Sequence, residues 1–205
     1  MNCGILDNYL QNFDIICLSE TYTNFPNLKD TDLYYYDVFT MPRRKRHHKY
    51  GAVHGLLIAM RPDIFSNAEL IENTLSDFTL WVKIGKNYAG FEFILGHTYL
   101  PCEGSNFYEN DLFDQIEHDV CLLQNNYNVP ICLVGDFNAR TATLSDFLDI
   151  EPEVARITGF DQCNNHSVTK EIFMEMGIPI ERHNQDPSTN NKGRKLIELC
   201  HSSDL

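Results

Sequence analysis

Residues 131–140, "ICLVGDFNAR", decide how this chain is interpreted. An apolar run after Pro130 predicts a strand that is covered on both faces of its sheet. Side chains two residues apart on a strand point the same way, so Asp136 and Asn138 are expected to project together while Phe137 turns into the interior. Gly-Asp followed by Asn is also ordinary turn chemistry, so this motif alone leaves a turn and a functional site open.

Composition favours one globular domain over residues 1–205, because 43% of the residues are hydrophobic and can fill a substantial core. The 16 basic and 29 acidic residues give a net charge of −13, which argues against non-specific binding to a polyanion. The basic segment 43–49, "RRKRHHK", is the candidate for a local nucleic-acid surface, although a solvated loop is the favoured interpretation.

The seven cysteines are odd in number and have no CxxC spacing, so we expect reduced, mostly buried thiols in an intracellular, nuclear or cytoplasmic protein. Residues 163–166, "CNNH", have the spacing of half a zinc site but no matching second half, which favours a loop. The first residues lack the pattern of an export signal, and the apolar run "GLLIAM" is too short to cross a bilayer. No membrane association is therefore expected.

Helical and strand patterns alternate along the chain, which is typical of an α/β protein. Helices are predicted at residues 4–13, 108–127 and 193–200, with a short one at 171–177; Asn106 and Glu109 have the spacing of a capping box for the second. Strands are predicted at 14–19, 51–60, 78–84, 89–100 and 131–134, the last leading to Asp136 and Asn138, and the first is expected to be buried like the last.

Polar side chains stand at the ends of three of these strands. "DIICLS" leads into Glu20, as "ICLV" leads into Asp136, and "FILGHTYLP" carries His97 and Tyr99 on one face. The carboxyl ends of strands are where open α/β sheets build their sites. Each residue also has a structural interpretation: Glu20 as an edge residue, Tyr99 as a core aromatic with a solvated hydroxyl, and His97 as a cross-strand partner.

The motifs resemble the endonuclease/exonuclease/phosphatase superfamily, and within it the apurinic-endonuclease-like domains of non-LTR retrotransposons. The resemblance covers nearly the whole chain through "DIICLSETYT", "GAVHGLLIAMRPDI", "GHTYLP", "GDFNAR" and "NKGRKLIELC", in that order. It implies a two-sheet α/β sandwich and a Mg²⁺- or Mn²⁺-dependent hydrolase of DNA. By the same resemblance, Glu20 is the metal ligand, Asp136 positions or deprotonates the attacking water, Asn138 holds the phosphate, and Tyr99 contacts it in the transition state.

The sequence also departs from the family pattern. Family members open with a strand that carries an Asn-containing motif and close with a further Asp and a Ser-Asp-His motif, whereas this sequence ends in "HSSDL". We therefore expect part of the domain, without its first strand and C-terminal part, that shows little nuclease activity alone. A superfamily phosphatase or phosphodiesterase acting on a lipid or RNA, and a non-catalytic remnant, are the alternatives. The oligomeric state is left open.

Overall fold

The computed structural model describes residues 9–21, 33, 35–41, 55–105, 111–145, 170, 172–181, 184–203 and 205. Predictions for residues 4–8, for the basic segment 43–49, for Asn106 and Glu109, and for residues 163–166 lie outside the described residues. The chain divides into two compact units, Met1–Phe137 and Asn138–Leu205.

The described strands of the first unit form two sheets. Strands β1 (Ile15–Leu18), β2 (Asp37–Met41) and β3 (Leu56–Met60) form an antiparallel sheet in the order β1-β3-β2. Strands β4 (Ala68–Ile71), β5 (Thr79–Ile84), β6 (Phe93–Tyr99) and β7 (Ile131–Asp136) form the second sheet in that order. Its β6–β7 pair is parallel, and its other two pairs are antiparallel.

Helices accompany the strands. Helices α1 (Pro62–Phe65) and α2 (Lys86–Ala89) are single turns beside the sheets, and α3 (Leu112–Tyr127) connects β6 to β7 as the crossover of the parallel pair. Helix α4 (Asn191–Ser203) belongs to the second unit. The 108–127 helix is confirmed but begins at Leu112, four residues later than predicted, and the predicted C-terminal helix is confirmed as α4.

The two sheets share one apolar core. Alternate residues of β3 pack against alternate residues of β5 and β6, and this core comprises Leu56, Ile58, Met60, Ile64, Leu80, Val82, Ile84 and Leu95. A sheet with one buried face must cover it with another layer, and here each sheet covers the other. The predicted two-sheet α/β sandwich is therefore confirmed.

Helix α3 is fastened to the second sheet through a buried carboxylate. Asp119 is fully buried, and its carboxylate accepts hydrogen bonds from the backbone N–H groups of Leu75 (2.6 Å) and Ser76 (2.9 Å). The indole N–H of Trp81 donates a third, at 3.4 Å. These three donors balance the cost of burying the carboxylate, so one helical residue orders both the β4–β5 connection and the outer face of β5.

The prediction that β1 and β7 are buried strands is wrong. Within the described residues, each is hydrogen-bonded to a single neighbour, so both lie at sheet edges. All of the β7 residues are partly or fully exposed, and Ile16 is the only buried residue of β1. The apolar run of β7 identifies a strand correctly, but a run of this kind cannot distinguish a central strand from an edge strand that is covered on one face.

The prediction of mostly buried cysteines is also wrong for the described residues. Cys102, Cys121 and Cys132 are exposed, and Cys17 and Cys200 are half-buried. Cys132 lies on the edge strand β7 and Cys102 on the loop after β6, which explains their exposure. None of the helices in the described part of the chain has the length and apolar character needed to cross a bilayer.

Candidate active site

Glu20 lies two residues beyond the end of β1, in an unusual backbone conformation. Its φ of 54° is in the left-handed region, which is unfavourable for a residue with a side chain. Its carboxylate accepts a hydrogen bond from the hydroxyl of Tyr99, at the end of β6 in the facing sheet. Such conformations persist only where surrounding contacts hold them, and they concentrate at functional sites.

Tyr99 and Asp136 lie side by side. They are the last residues of β6 and β7 and are partners in the parallel ladder. The backbone N–H of Leu100 donates to the carbonyl of Asp136 at 2.9 Å, which fixes the two strand ends together. Because paired residues of neighbouring strands point to the same face, Asp136 lies on the face from which Tyr99 reaches Glu20. The structure thus brings Glu20, Tyr99 and Asp136 to one end of the sandwich.

The approach of the two strand ends depends on Gly135. Its φ is 140°, and a Cβ at this position would lie 1.8 Å from the carbonyl oxygen of Thr98 on β6. No residue with a side chain fits at that distance, so glycine is required immediately before Asp136. The "GD" of the motif therefore has a packing reason as well as a chemical one.

His97 lies on the same face of β6 as Tyr99 but deeper between the sheets. It is 2% exposed, and its Nε2 lies 3.3 Å from Ser19 Oγ, immediately before Glu20. Burial lowers the pKa of His97, and nearby backbone groups of Leu18 and Val134 partly oppose that shift. Within the described residues, no hydrogen bond of good geometry reaches Nδ1. His97 is therefore a buried residue that links the two sheets.

Thr21 belongs to the "LSETYT" segment, but nothing in the sequence pattern marks it as a candidate site residue. Its Oγ1 is buried and has no hydrogen-bond partner among the described residues, while its backbone N–H donates to Gly55 O at 3.2 Å. A buried hydroxyl without a partner is uncommon. Thr21 directly follows Glu20 in the sequence, so this oxygen belongs to the segment that carries the candidate metal ligand.

Asn138 is the first residue of the second unit. Its φ is 49°, and β7 ends at Asp136, so the alternation that predicted a shared direction for Asp136 and Asn138 does not extend to Asn138. Within its own unit, the carbonyl of Asn138 accepts a hydrogen bond from Asn190 Nδ2 at 3.0 Å.

The donors at this end of the sandwich are oxygen atoms, contributed by Glu20, Tyr99 and Asp136. Among the described residues, no group of three or more His, Cys, Asp and Glu side chains could hold a metal ion. Mg²⁺ is commonly held by one or two carboxylates and keeps several waters, so a larger protein cage is unnecessary. The hard, oxygen-only donor set fits Mg²⁺ or Mn²⁺ better than a softer metal.

Comparison with known proteins adds an independent finding. The sequence profile of the Endonuclease/Exonuclease/phosphatase family matches residues 2–162. No curated protein matches the chain.

Several solved structures resemble the fold. The human nocturnin catalytic domain with bound sulfate is 16% identical (TM-score 0.48), covering 67% of this chain and 56% of that one. A mannosyl-6-phosphatase of Bacteroides thetaiotaomicron is 21% identical (TM-score 0.49; 66% and 55% covered). An AP endonuclease from Archaeoglobus fulgidus is 19% identical (TM-score 0.44; 75% and 57% covered). The match spans little more than half of each of these proteins.

Proposed function

The chain belongs to the endonuclease/exonuclease/phosphatase family, and we propose that it forms part of a metal-dependent phosphodiester hydrolase. The observation that carries the proposal is the hydrogen bond from Tyr99 to Glu20 across the two sheets, with Asp136 beside Tyr99 in the ladder. Two carboxylates and a phenol, each at or just beyond the end of a different strand, lie at this end of the sandwich. A purely structural role would not require all three polar groups at the same end of the sandwich.

Each of these residues suits a different part of phosphodiester hydrolysis. Glu20 would hold Mg²⁺ or Mn²⁺, which when bound neutralises charge on the phosphoryl oxygens. Asp136 is exposed, so its carboxylate can accept a hydrogen bond from an attacking water and take its proton. The Asn138 amide can donate to a phosphoryl oxygen, and such donors stabilise the charge that develops in the transition state.

Tyr99 has one hydroxyl proton and therefore one donor role at a time. In the structure the proton is directed to Glu20, which orients that carboxylate. To contact the phosphate as a donor, the hydroxyl must leave Glu20 and turn toward the phosphoryl oxygen. We propose that Tyr99 prepares Glu20 in the free protein and exchanges partners when a phosphate arrives.

The finer proposal is a DNA-nicking endonuclease domain of a retrotransposon reverse transcriptase protein, with DNA as its partner. It rests on the resemblance of the "LSET" and "GDFNAR" segments. Because the net charge is −13, binding of DNA would require a bound cation or a local basic surface. A substrate panel of supercoiled DNA, polyadenylate RNA and a phosphoinositide separates this proposal from the lipid and RNA alternatives.

Metal binding provides a test that does not require turnover. We expect Mn²⁺, detected by its electron paramagnetic resonance signal, to bind the chain, and Glu20→Gln to weaken binding about tenfold or more. Glu69→Gln is the matched control, because Glu69 is an exposed glutamate on β4 outside the candidate site. Equal Mn²⁺ affinity in the Glu20 and Glu69 variants would contradict the metal assignment.

Cleavage separates the roles of the two carboxylates. In the longest protein that carries this sequence, Mg²⁺-dependent nicking of supercoiled DNA is expected to be lost in Asp136→Ala and weakened in Glu20→Ala. Raising the Mg²⁺ concentration should partly restore the Glu20 variant only, because that variant loses metal affinity whereas the other loses the chemical step. Equal rescue of both variants would overturn the assignment.

A further inference from the structure

The side chain of Asn190 holds the segment that follows the "GDF" of the motif. Its Oδ1 accepts hydrogen bonds from the backbone N–H groups of Arg140 (2.9 Å) and Gly193 (2.8 Å). Its Nδ2 donates to the carbonyl of Asn138 at 3.0 Å. The Asn190 backbone N–H adds a bond to the carbonyl of Arg140 at 3.1 Å. Three of the hydrogen bonds of Asn190 thus go to residues 138 and 140.

Asparagine is the residue type that this arrangement needs. The acceptor must serve two N–H groups, and the donor must reach a carbonyl on the opposite side. The bond to Gly193, three residues along the chain, is also the N-cap bond of α4, so the side chain joins the start of a 13-residue helix to the loop. Aspartate could keep the acceptor bonds and the cap, but it has no donor for Asn138.

Neighbouring contacts hold the same loop from other directions. Gly193 brings the first turn of α4 so close that a Cβ there would lie 1.9 Å from the carbonyl oxygen of Arg140. Thr141 and Thr189 form an isolated antiparallel bridge, and the Arg140 guanidinium pairs with Asp186 at 3.3 Å. The loop of residues 138–141 is therefore fixed within its own unit, and Asn138 is kept in its left-handed conformation.

We propose that Asn190 is a positioning residue for the hydrolase, which sets the orientation of Asn138 through the bond from Nδ2 to the Asn138 carbonyl. The inference rests on the proposed function, because only a phosphate-binding Asn138 makes its orientation matter for catalysis. Asn190 itself does not touch the substrate. Its contribution is to keep a strained backbone in one conformation before the substrate binds.

Amide hydrogen exchange tests, without any substrate, whether Asn190 holds the loop of residues 138–141. In the wild-type chain, the Arg140 amide is expected to be protected, and Asn190→Ala should lower that protection about tenfold or more. Asn190→Asp should retain it, because Oδ1 is preserved. The adjacent Asn191, exposed on the same helical turn, provides the matched control Asn191→Ala, which should leave protection unchanged. If the Arg140 amide exchanges equally fast in the wild type and in Asn190→Ala, Asn190 does not hold the loop.

Kinetics separates positioning from helix capping. Asn190→Asp should remain folded and lose less thermal stability than Asn190→Ala, because it keeps the cap and adds a favourable negative charge at the N-terminus of α4, although it loses the bond to the Asn138 carbonyl. In the longest protein that carries this sequence, the kcat of this variant for Mg²⁺-dependent phosphodiester cleavage should nevertheless fall about tenfold or more while KM is unchanged. Full kcat in Asn190→Asp would overturn the positioning role. If the longest protein that carries this sequence cleaves no phosphodiester, the proposed function fails, and so does the catalytic role of Asn190, whereas the exchange result still decides whether Asn190 holds the loop.

Discussion

Replacing Gly135 with alanine should push β7 away from β6. The new Cβ would lie 1.8 Å from Thr98 O, and real Cβ atoms do not approach closer than 3.0 Å, so the strands must separate by 3.0 minus 1.8, at least about 1.2 Å. The bond from Leu100 N to Asp136 O, now 2.9 Å, would then exceed the range of a good hydrogen bond. Asp136 would move away from Tyr99 by a comparable distance.

The cost follows from two contributions. A positive φ is strained for alanine by about 1–2 kcal/mol, and losing two ladder hydrogen bonds adds about 2 kcal/mol. The total of about 3–4 kcal/mol corresponds to a melting temperature lower by roughly 6–16 °C in a chain of this size. Gly90→Ala is the matched control, because Gly90 has a φ of 84° but a Cβ added there would meet nothing within 4 Å. It should cost only the strain, about 1–2 kcal/mol.

Trp81 provides the assay. It is the only tryptophan in the sequence, is 1% exposed, and packs on β5 against Gly96 of β6. Its fluorescence therefore follows the unfolding of the sheet that contains Gly135, during heating or urea titration. If Gly135→Ala and Gly90→Ala unfold at the same temperature, the close approach does not constrain β7, and the structural reason for glycine before Asp136 is refuted.

Three further predictions concern buried groups. Asp119→Ala should lower the free energy of unfolding by roughly 3–5 kcal/mol, because three donors lose their acceptor. Urea titration tests this against Asp114→Ala, an exposed position on the same helix, and an equal loss of unfolding free energy in both variants would contradict it. Folding lowers the pKa of His97, so its neutral form stabilises the protein above the ordinary pKa of 6.5, and this stabilisation is lost as the pH falls. The melting temperature of His97→Gln should therefore decline less than that of the wild type from about pH 7.5 to about pH 5, and equal declines would contradict this. Burial raises the pKa of Cys17 to about 11, so at about pH 8 only roughly one Cys17 thiol in a thousand is ionised. Alkylation monitored by mass spectrometry should therefore modify the exposed Cys102 before Cys17, and equal rates at the two cysteines would contradict this.

The sequence predicts the strands whose apolar residues form clear runs. The segments that form β1, β3, β5, β6 and β7 are all recognisable in this way. The strands β2 and β4 are not. Polar residues interrupt both strands, Asp37 and Thr40 in β2 and Glu69 in β4, so neither contains the apolar run that identifies the other strands.

The meeting of Glu20, Tyr99 and Asp136 follows from a simple rule, since each lies at or just beyond the carboxyl end of a strand. Their partners could not be predicted in that way. The Tyr99–Glu20 bond depends on how two sheets dock, and the bonds of Asn190 depend on how a loop meets a helix 52 residues later in the sequence. Local periodicity contains no information about either event, because both are tertiary contacts between distant segments.

The Tyr99–Glu20 bond joins residues 79 positions apart and crosses the boundary between two layers. Neither sheet contains the pair by itself, so the Tyr99–Glu20 bond forms only when the two sheets pack together during folding. Substitutions in the shared core, such as Ile58→Val or Val82→Ala, would alter the spacing of the layers and with it the distance between Tyr99 and Glu20. Natural variation in the core is therefore also variation in the spacing between Tyr99 and Glu20, so residues that contact neither side chain can change the geometry of this candidate site.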